Sequence, residues 1–117
     1  MMTTSRGEIW LVNLDPAIGD EIKKIRPAVI VNSDAVGILA LRVIAPITAW
    51  QDKFAGCDWL IRIERDTTNG LEKASTVDTF QVRAVSIKRL VRRIGNLTTD
   101  DMNRVAEGLK AVLELDQ

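Results

Sequence analysis

Histidine is absent from this chain and cysteine occurs once, at Cys57. Those two scarcities remove whole classes of chemistry. A Ser-His-Asp triad cannot be assembled without an imidazole, and an ordinary zinc site needs Cys and His ligands that are not supplied. No metal and no other cofactor is expected. A lone cysteine forms no internal disulfide, which fits a reducing cytosol. Long apolar runs are missing too. Charges interrupt each of them well before about 18 residues, so no membrane span is expected. The opening "MMTTSRGEIW" lacks the basic start and apolar core of a secretory signal. "GDEIKK" does not have the spacing of a Gly-rich phosphate loop. An excess of charge of either sign is also lacking, because sixteen Lys and Arg balance sixteen Asp and Glu. Any polyanion would have to be met by a local patch rather than a global field. Catalysis, if there is any, must run on Arg, Lys, Asp, Glu, Ser, Thr and backbone groups.

What remains is a chain of 117 residues, expected to form one cytoplasmic domain over 1–117 around one hydrophobic core. "EIWLVNL" (8–14) is rich in β-branched and aromatic residues and stops at Asp15-Pro16, which predicts a strand and a turn. "AIGDEIKKI" has no period and reads as an exposed loop. "PAVIVN" is a short continuous apolar run, as in a strand buried on both faces. "SDAVG" punctuates it, and "LALRVIAPIT" predicts a third strand that Pro46 ends or bends. "DWLIRI" alternates Trp59, Ile61 and Ile63 against Asp58, Leu60 and Arg62, the pattern of a half-buried strand. "RDTTNG" is turn chemistry, "ASTVDTFQVRAV" one longer β segment, and "LVRRIGN" a last short one. The period then becomes helical. Met102, Val105, Ala106, Leu109, Val112 and Leu113 share a face, Thr98 or Thr99 caps, and Asp100 and Asp101 suit the positive end of the dipole, giving a helix over 99–115. Short strands followed by one helix predict a mainly β, α+β fold: a small, strongly bent sheet or barrel with the helix packed on it.

"RGEIWLVNLDP", "GDEIKKIRPAVIV", "VIAPIT" and "GLEKASTVDTFQVRAV" follow one another in the order and spacing of the MazF/PemK family, the toxins of toxin–antitoxin pairs. The resemblance runs from about Arg6 through Leu97. It implies an SH3-like β-barrel of five to seven strands with a C-terminal amphipathic helix, a fold shared with CcdB. It also implies a homodimer that cleaves single-stranded RNA without a metal, and a cognate antitoxin with an acidic, flexible tail. The catalytic pair of such proteins falls on Arg26, in the Arg-Pro step, and on Thr48, after "API". The acidic loop residue falls on Glu21 and the glutamine after the long strand on Gln81. The stretches "SDAVGILAL" and "AWQDKFAGCDW" depart from the family's pattern, and such loops help set which bases are read.

The residues support this chemistry in their own right. A guanidinium fork matches two phosphate oxygens and stays charged at any working pH, so Arg26 suits a clamp on a pentacovalent phosphorus, with Thr48 adding a hydroxyl. A group with pKa above about 12 is a poor base, so the proton acceptor is Glu21 or Arg26. Lys23 and Lys24 add positive charge for RNA. Trp50 and Phe54, beside Lys53 in a loop-like stretch, read as base-stacking residues, whereas Trp10 and Trp59 read as core. Arg89, Arg92 and Arg93 read equally as a solvated edge or as a phosphate track. Two other functions use similar sequences: a CcdB-like toxin that poisons DNA gyrase without catalysis, and a non-catalytic SH3-like binding module. An Arg and a Thr aimed at one phosphate favour the nuclease.

Overall fold

A computed structural model describes residues 3–36 and 39–115. Among them are seven strands and one α-helix: β1 (Glu8–Asn13), β2 (Ile25–Ile30), β3 (Leu41–Ala49), β4 (Leu60–Ile63), β5 (Ser75–Asp78), β6 (Arg83–Ser86), β7 (Leu90–Asn96) and α1 (Thr99–Leu113). The pairings are antiparallel and run β4-β5-β3-β2-β1-β7, with β6 on the first half of β3. No helix among the described residues is long and apolar enough to cross a membrane. Gly37 and Ile38, inside the "SDAVGILAL" stretch, lie outside the described residues.

The central strands are buried on both faces, as the apolar run in β2 requires. Ile9, Val29, Ala45 and Ile47 join Ile63, Val77, Met102 and Val105 on one side. Trp10, Val12, Ala28, Ile30 and Ile44 join Val85 and Leu90 on the other. Each fully buried aliphatic side chain here is worth about 1.5–3 kcal/mol. The helix lies over the first cluster. Its N-terminus is capped by Thr98, whose hydroxyl accepts from Asp101 N–H at 3.1 Å. Gly108 lets it close on the sheet, since a Cβ there would stand 3.0 Å from Thr79 Oγ1 and 3.1 Å from Ile61 Cδ1.

Several expectations need correction. The helix ends at Leu113, not 115, because Glu114 turns left-handed at φ 53° and Leu115 N–H bonds back to Lys110 O. Leu113 is consequently exposed. The segment 74–85 is two strands, not one. Asp78 accepts from Phe80 N–H at 3.0 Å and starts a short turn over Thr79–Gln81. Past that turn the chain changes partner along β3, from Ile47–Ala49 to Leu41–Ile44. Trp59 is not core but 41 % exposed. It precedes β4 in a turn closed by Leu60 N–H on Cys57 O, so the alternation that buries Ile61 and Ile63 does not reach it. Pro46 does not end β3, which runs on to Ala49. It sits between the last β6 pair, at Ile44, and the first β5 pair, at Ile47, where its missing N–H leaves no ladder bond unmade.

The two ends of the sheet, β4 and β7, do not pair with each other, so the ladder is not closed into a barrel. The loop after β4 bridges the seam instead. Asn96 N–H bonds to Thr68 O at 2.9 Å. A Cβ on Gly95 would lie 2.4 Å from the Asn69 carbonyl carbon, and one on Gly70 (φ 69°) 2.1 Å from Ile94 O. Only glycines allow backbone to approach backbone this closely.

Candidate active site

Pro27 decides where the site forms. The β2–β3 ladder runs Ile30↔Ile44, Val29↔Ala45, Ala28↔Pro46, and goes no further. Val31 N–H bonds to Val43 O, so the odd-numbered residues of β2 bond to β3, and Pro27 has no N–H to donate where the next of these bonds falls due. The same count carried two residues on sets Arg26 opposite Thr48, now held only from their outer sides. Arg26 pairs with Val12 of β1, and Thr48 with Thr76 of β5. Residues opposite one another in an antiparallel pair share a face, so both side chains belong to the face of Val12 and Pro46. The result is a cation and a hydroxyl facing each other across an opened ladder.

Arg26 is exposed at the strand's mouth, and its Nε donates to Lys23 O at 3.3 Å. The loop that supplies this carbonyl is held in place from within. Lys24 takes φ 71°, its N–H donates to Asp15 Oδ1 at 2.9 Å, and its carbonyl accepts from Leu14 N–H at 2.9 Å. Lys23 and Lys24 are both exposed there.

Two clefts flank the pair. The larger, of about 540 Å³, is floored by Leu14 and Pro46 and walled by Glu21, Phe80 and Gln81. The smaller, of about 350 Å³, has Arg26 and Thr48 on its rim with Glu72, Lys73 and Arg92. Glu21 and Gln81 therefore share the first cleft, while Arg26 and Thr48 share the second. Glu21 Oε1 accepts from Ile18 N–H at 2.6 Å. Gln81 Oε1 accepts from Ile22 N–H at 2.7 Å and its Nε2 donates to Asp20 O at 3.4 Å, tying the β1–β2 loop to the turn before β6. Phe80, which carries no sequence signal beyond its neighbour Gln81, is 70 % exposed beside this cleft.

Trp50 follows β3 directly, its N–H bonded to Ala74 O at 3.1 Å. Phe54 meets it edge-on at 5.9 Å, the Arg62 guanidinium lies 5.1 Å from the Trp50 ring centre, and Lys53 Nζ sits 5.9 Å from the Phe54 ring. Arg62, unremarkable in sequence, thus covers part of the aromatic pair and is itself bound to Glu64. The three arginines of β7 and its entry separate. Arg89 donates to the carbonyls of Asn13 and Asp15, and Arg93 engages Glu8 and Asn96. Of the three, Arg92 lines the smaller cleft.

Residues 5–113 match the family described as the PemK-like, MazF-like toxin of type II toxin–antitoxin systems. The chain is 34 % identical to endoribonuclease MazF9 of Mycobacterium tuberculosis, over 94 % of this chain and 96 % of that protein. Its fold superposes on MazF of Deinococcus radiodurans with a TM-score of 0.81 at 19 % identity, covering 97 % of this chain and 99 % of that one. An endoribonuclease solved with its cognate antitoxin, from a mycobacterial species, gives a TM-score of 0.78 at 16 % identity, with 98 % and 99 % covered. The chain belongs to the PemK-like, MazF-like toxin family.

Proposed function

We propose that the protein is a metal-independent endoribonuclease that cuts single-stranded RNA by attack of the 2′-hydroxyl on the adjacent phosphorus. The observation that carries this reading is the opened ladder, which presents Arg26 and Thr48 to one another on neighbouring strands. Arg26 takes two non-bridging oxygens of the scissile phosphate, and the Thr48 hydroxyl donates to the same group as negative charge builds in the transition state. Glu21 keeps one carboxylate oxygen on Ile18 N–H and offers the other to the attacking hydroxyl. The oxygen–phosphorus bond to the 5′ side breaks as the new ring bond forms, and the departing 5′-oxygen takes a proton from Arg26, which regains one through solvent as Glu21 releases the proton it took, leaving a 2′,3′-cyclic phosphate and a 5′-hydroxyl.

Lys23, Lys24 and Lys53 steer the strand, Trp50 and Phe54 stack bases, and Gln81 reads a base edge in the larger cleft. The chain acts as a homodimer in the cytoplasm, within a single toxin domain. Its antagonist is an antitoxin whose acidic tail lies across Lys23, Lys24 and Arg26, the surface that RNA needs. The endoribonuclease and antitoxin-complex relatives support the nuclease activity and the antitoxin partner.

The test is incubation with single-stranded RNA in EDTA, followed by analysis of the ends. Cyclic phosphate and 5′-hydroxyl termini are expected, with resistance of substrates carrying 2′-deoxyribose at the cut. A 5′-phosphate product or a magnesium requirement would make water the nucleophile and refute the mechanism. No cleavage, with gyrase inhibited instead, would make the protein a CcdB-like poison.

A further inference from the structure

The smaller cleft has a use that the catalytic pair does not explain. Its floor is apolar, made by Pro27, Ile47, Leu71 and Ile94, and its rim carries Arg26, Lys73 and Arg92 against a single carboxylate, Glu72. Three cations and one anion give this rim a charge of +2, although the whole chain sums to zero. Among the described residues the Arg92 side chain makes no hydrogen bond or ion pair, in contrast to those of Arg89 and Arg93. Nor do the side chains of Lys73 and Glu72.

An unpartnered guanidinium at a rigid rim is pre-organised for an anion, and this rim is rigid. Ser75 Oγ donates to Lys73 O at 2.8 Å and Trp50 N–H bonds to Ala74 O. The Gly70–Gly95 approach fixes the loop before Lys73 against β7, the strand that carries Arg92. Arg26 and Thr48 stand on the same rim, so a strand clamped there passes Arg92 next.

We propose that this cleft is a second phosphodiester subsite, in which Arg92 and Lys73 hold the phosphate adjoining the scissile one while the apolar floor receives the intervening nucleoside. The proposal rests on the reading of the chain as an RNA-binding protein. Arg92 and Lys73 are positioning residues here, since the reacting atoms lie at Arg26 and Thr48.

The test uses a fluorescent pool of mixed-sequence 2′-deoxy oligonucleotides, which lack the attacking hydroxyl, titrated with the full chain over a range of salt. Arg92→Gln is expected to bind about tenfold more weakly at low salt, the size of one bidentate charge-assisted contact. The slope of log affinity against log salt should fall in magnitude by about 0.7, one single-strand phosphate contact. Arg92→Lys should keep the slope, and the exposed Lys88→Gln should leave both quantities unchanged. Melting temperatures should be equal across the set, because the Arg92 side chain makes no hydrogen bond or ion pair among the described residues. An unchanged slope in Arg92→Gln overturns the subsite, as does an equal loss in Lys88→Gln, which would mean a diffuse field. Loss of a polyglutamate peptide with the oligonucleotide unaffected would assign the cleft to an acidic peptide and overturn it as well. A wild-type chain that binds no oligonucleotide overturns this proposal and the nuclease reading together. One that binds but does not cut RNA overturns only the nuclease.

Discussion

Replacing Asn69 with alanine should unfasten the seam that holds the smaller cleft in shape. Asn69 is fully buried, and its side chain works in both directions. Its Nδ2 donates to Glu64 O at 2.9 Å, and its Oδ1 accepts from Leu71 N–H at 3.0 Å. A third contact, from Asp66 N–H at 3.4 Å, is long enough to count for little. Alanine leaves Leu71 N–H buried without an acceptor, at about 1–3 kcal/mol. Glu64 O belongs to an exposed residue, so water compensates much of its loss. The space left behind adds a smaller cavity cost. The sum is about 2–4 kcal/mol, which for a chain of this length lowers the melting midpoint by about 10 °C. Thermal and urea melts measure the global cost. Hydrogen exchange at Asn96 N–H, which bonds to Thr68 O across the seam, reports the local one. Exchange there should accelerate more than in β1 or β2. A variant within about 0.5 kcal/mol of wild type, with exchange at Asn96 unchanged, would refute the claim that this loop closes the sheet.

Arg26→Lys and Thr48→Val should keep the fold, because the one described bond of the Arg26 side chain is a long contact to Lys23 O, and each should lower kcat about 10²- to 10³-fold. Single-turnover cleavage measures this, and full activity in the Arg26 variant ends its assignment. Asp66 takes three donors on one oxygen, with Thr68 N–H the strongest influence, and its carboxyl lies below the ordinary value of 3.8. A lowered folded pKa stabilises above the unfolded value and loses that contribution as pH falls through the folded one. The melting gap between wild type and Asp66→Ala should therefore be full at pH 6 and shrink below pH about 4. A gap that persists at pH 2 would show that the carboxylate's charge is not what the loop uses. Asp78, raised by burial, works in the opposite sense, its ionised form opposing folding until acid neutralises it.

How much of this was legible depended on whether the signal was local. β1, β4's buried pair and the helix were visible because period 2 and period 3.6 act within a few residues. The break at Thr79–Gln81 was hidden because Val77, Phe80 and Val82 have strand propensity throughout, and only the Asp78 side chain overrides it. Trp59 misled for a related reason, as alternation does not reveal where a strand begins. "RDTTNG" was readable as a turn, but not as the piece that spans β4 to β7. Its partner, Gly95, lies 25 residues away, and nothing in either stretch names the other. The two prolines were readable as ladder breakers. That Pro27 stops the β2–β3 ladder, while Pro46 falls in the gap between the β6 and β5 pairings, required the register.

The same distinction explains how a chain with no net charge presents a cationic face. The sixteen Lys and Arg are not equivalent once folded. Arg6 engages Val31 O, Arg42 the carbonyls of Leu39 and Leu41, Arg89 those of Asn13 and Asp15, and Arg104 that of Arg62 together with the Asp101 carboxylate. These guanidinia are engaged by backbone carbonyls, that of Val31 on a buried residue and the others on exposed ones. Arg26, Lys73 and Arg92 are placed differently, on one rim, with Lys23 and Lys24 in the loop beside it. Composition counts both groups alike, and so does the isoelectric point. A phosphate at the opened ladder meets this second group, with Glu21 and Glu72 among the carboxylates of the flanking clefts, while Asp100 and Glu107 stand on the helix. The local field follows from which cations the backbone has already used.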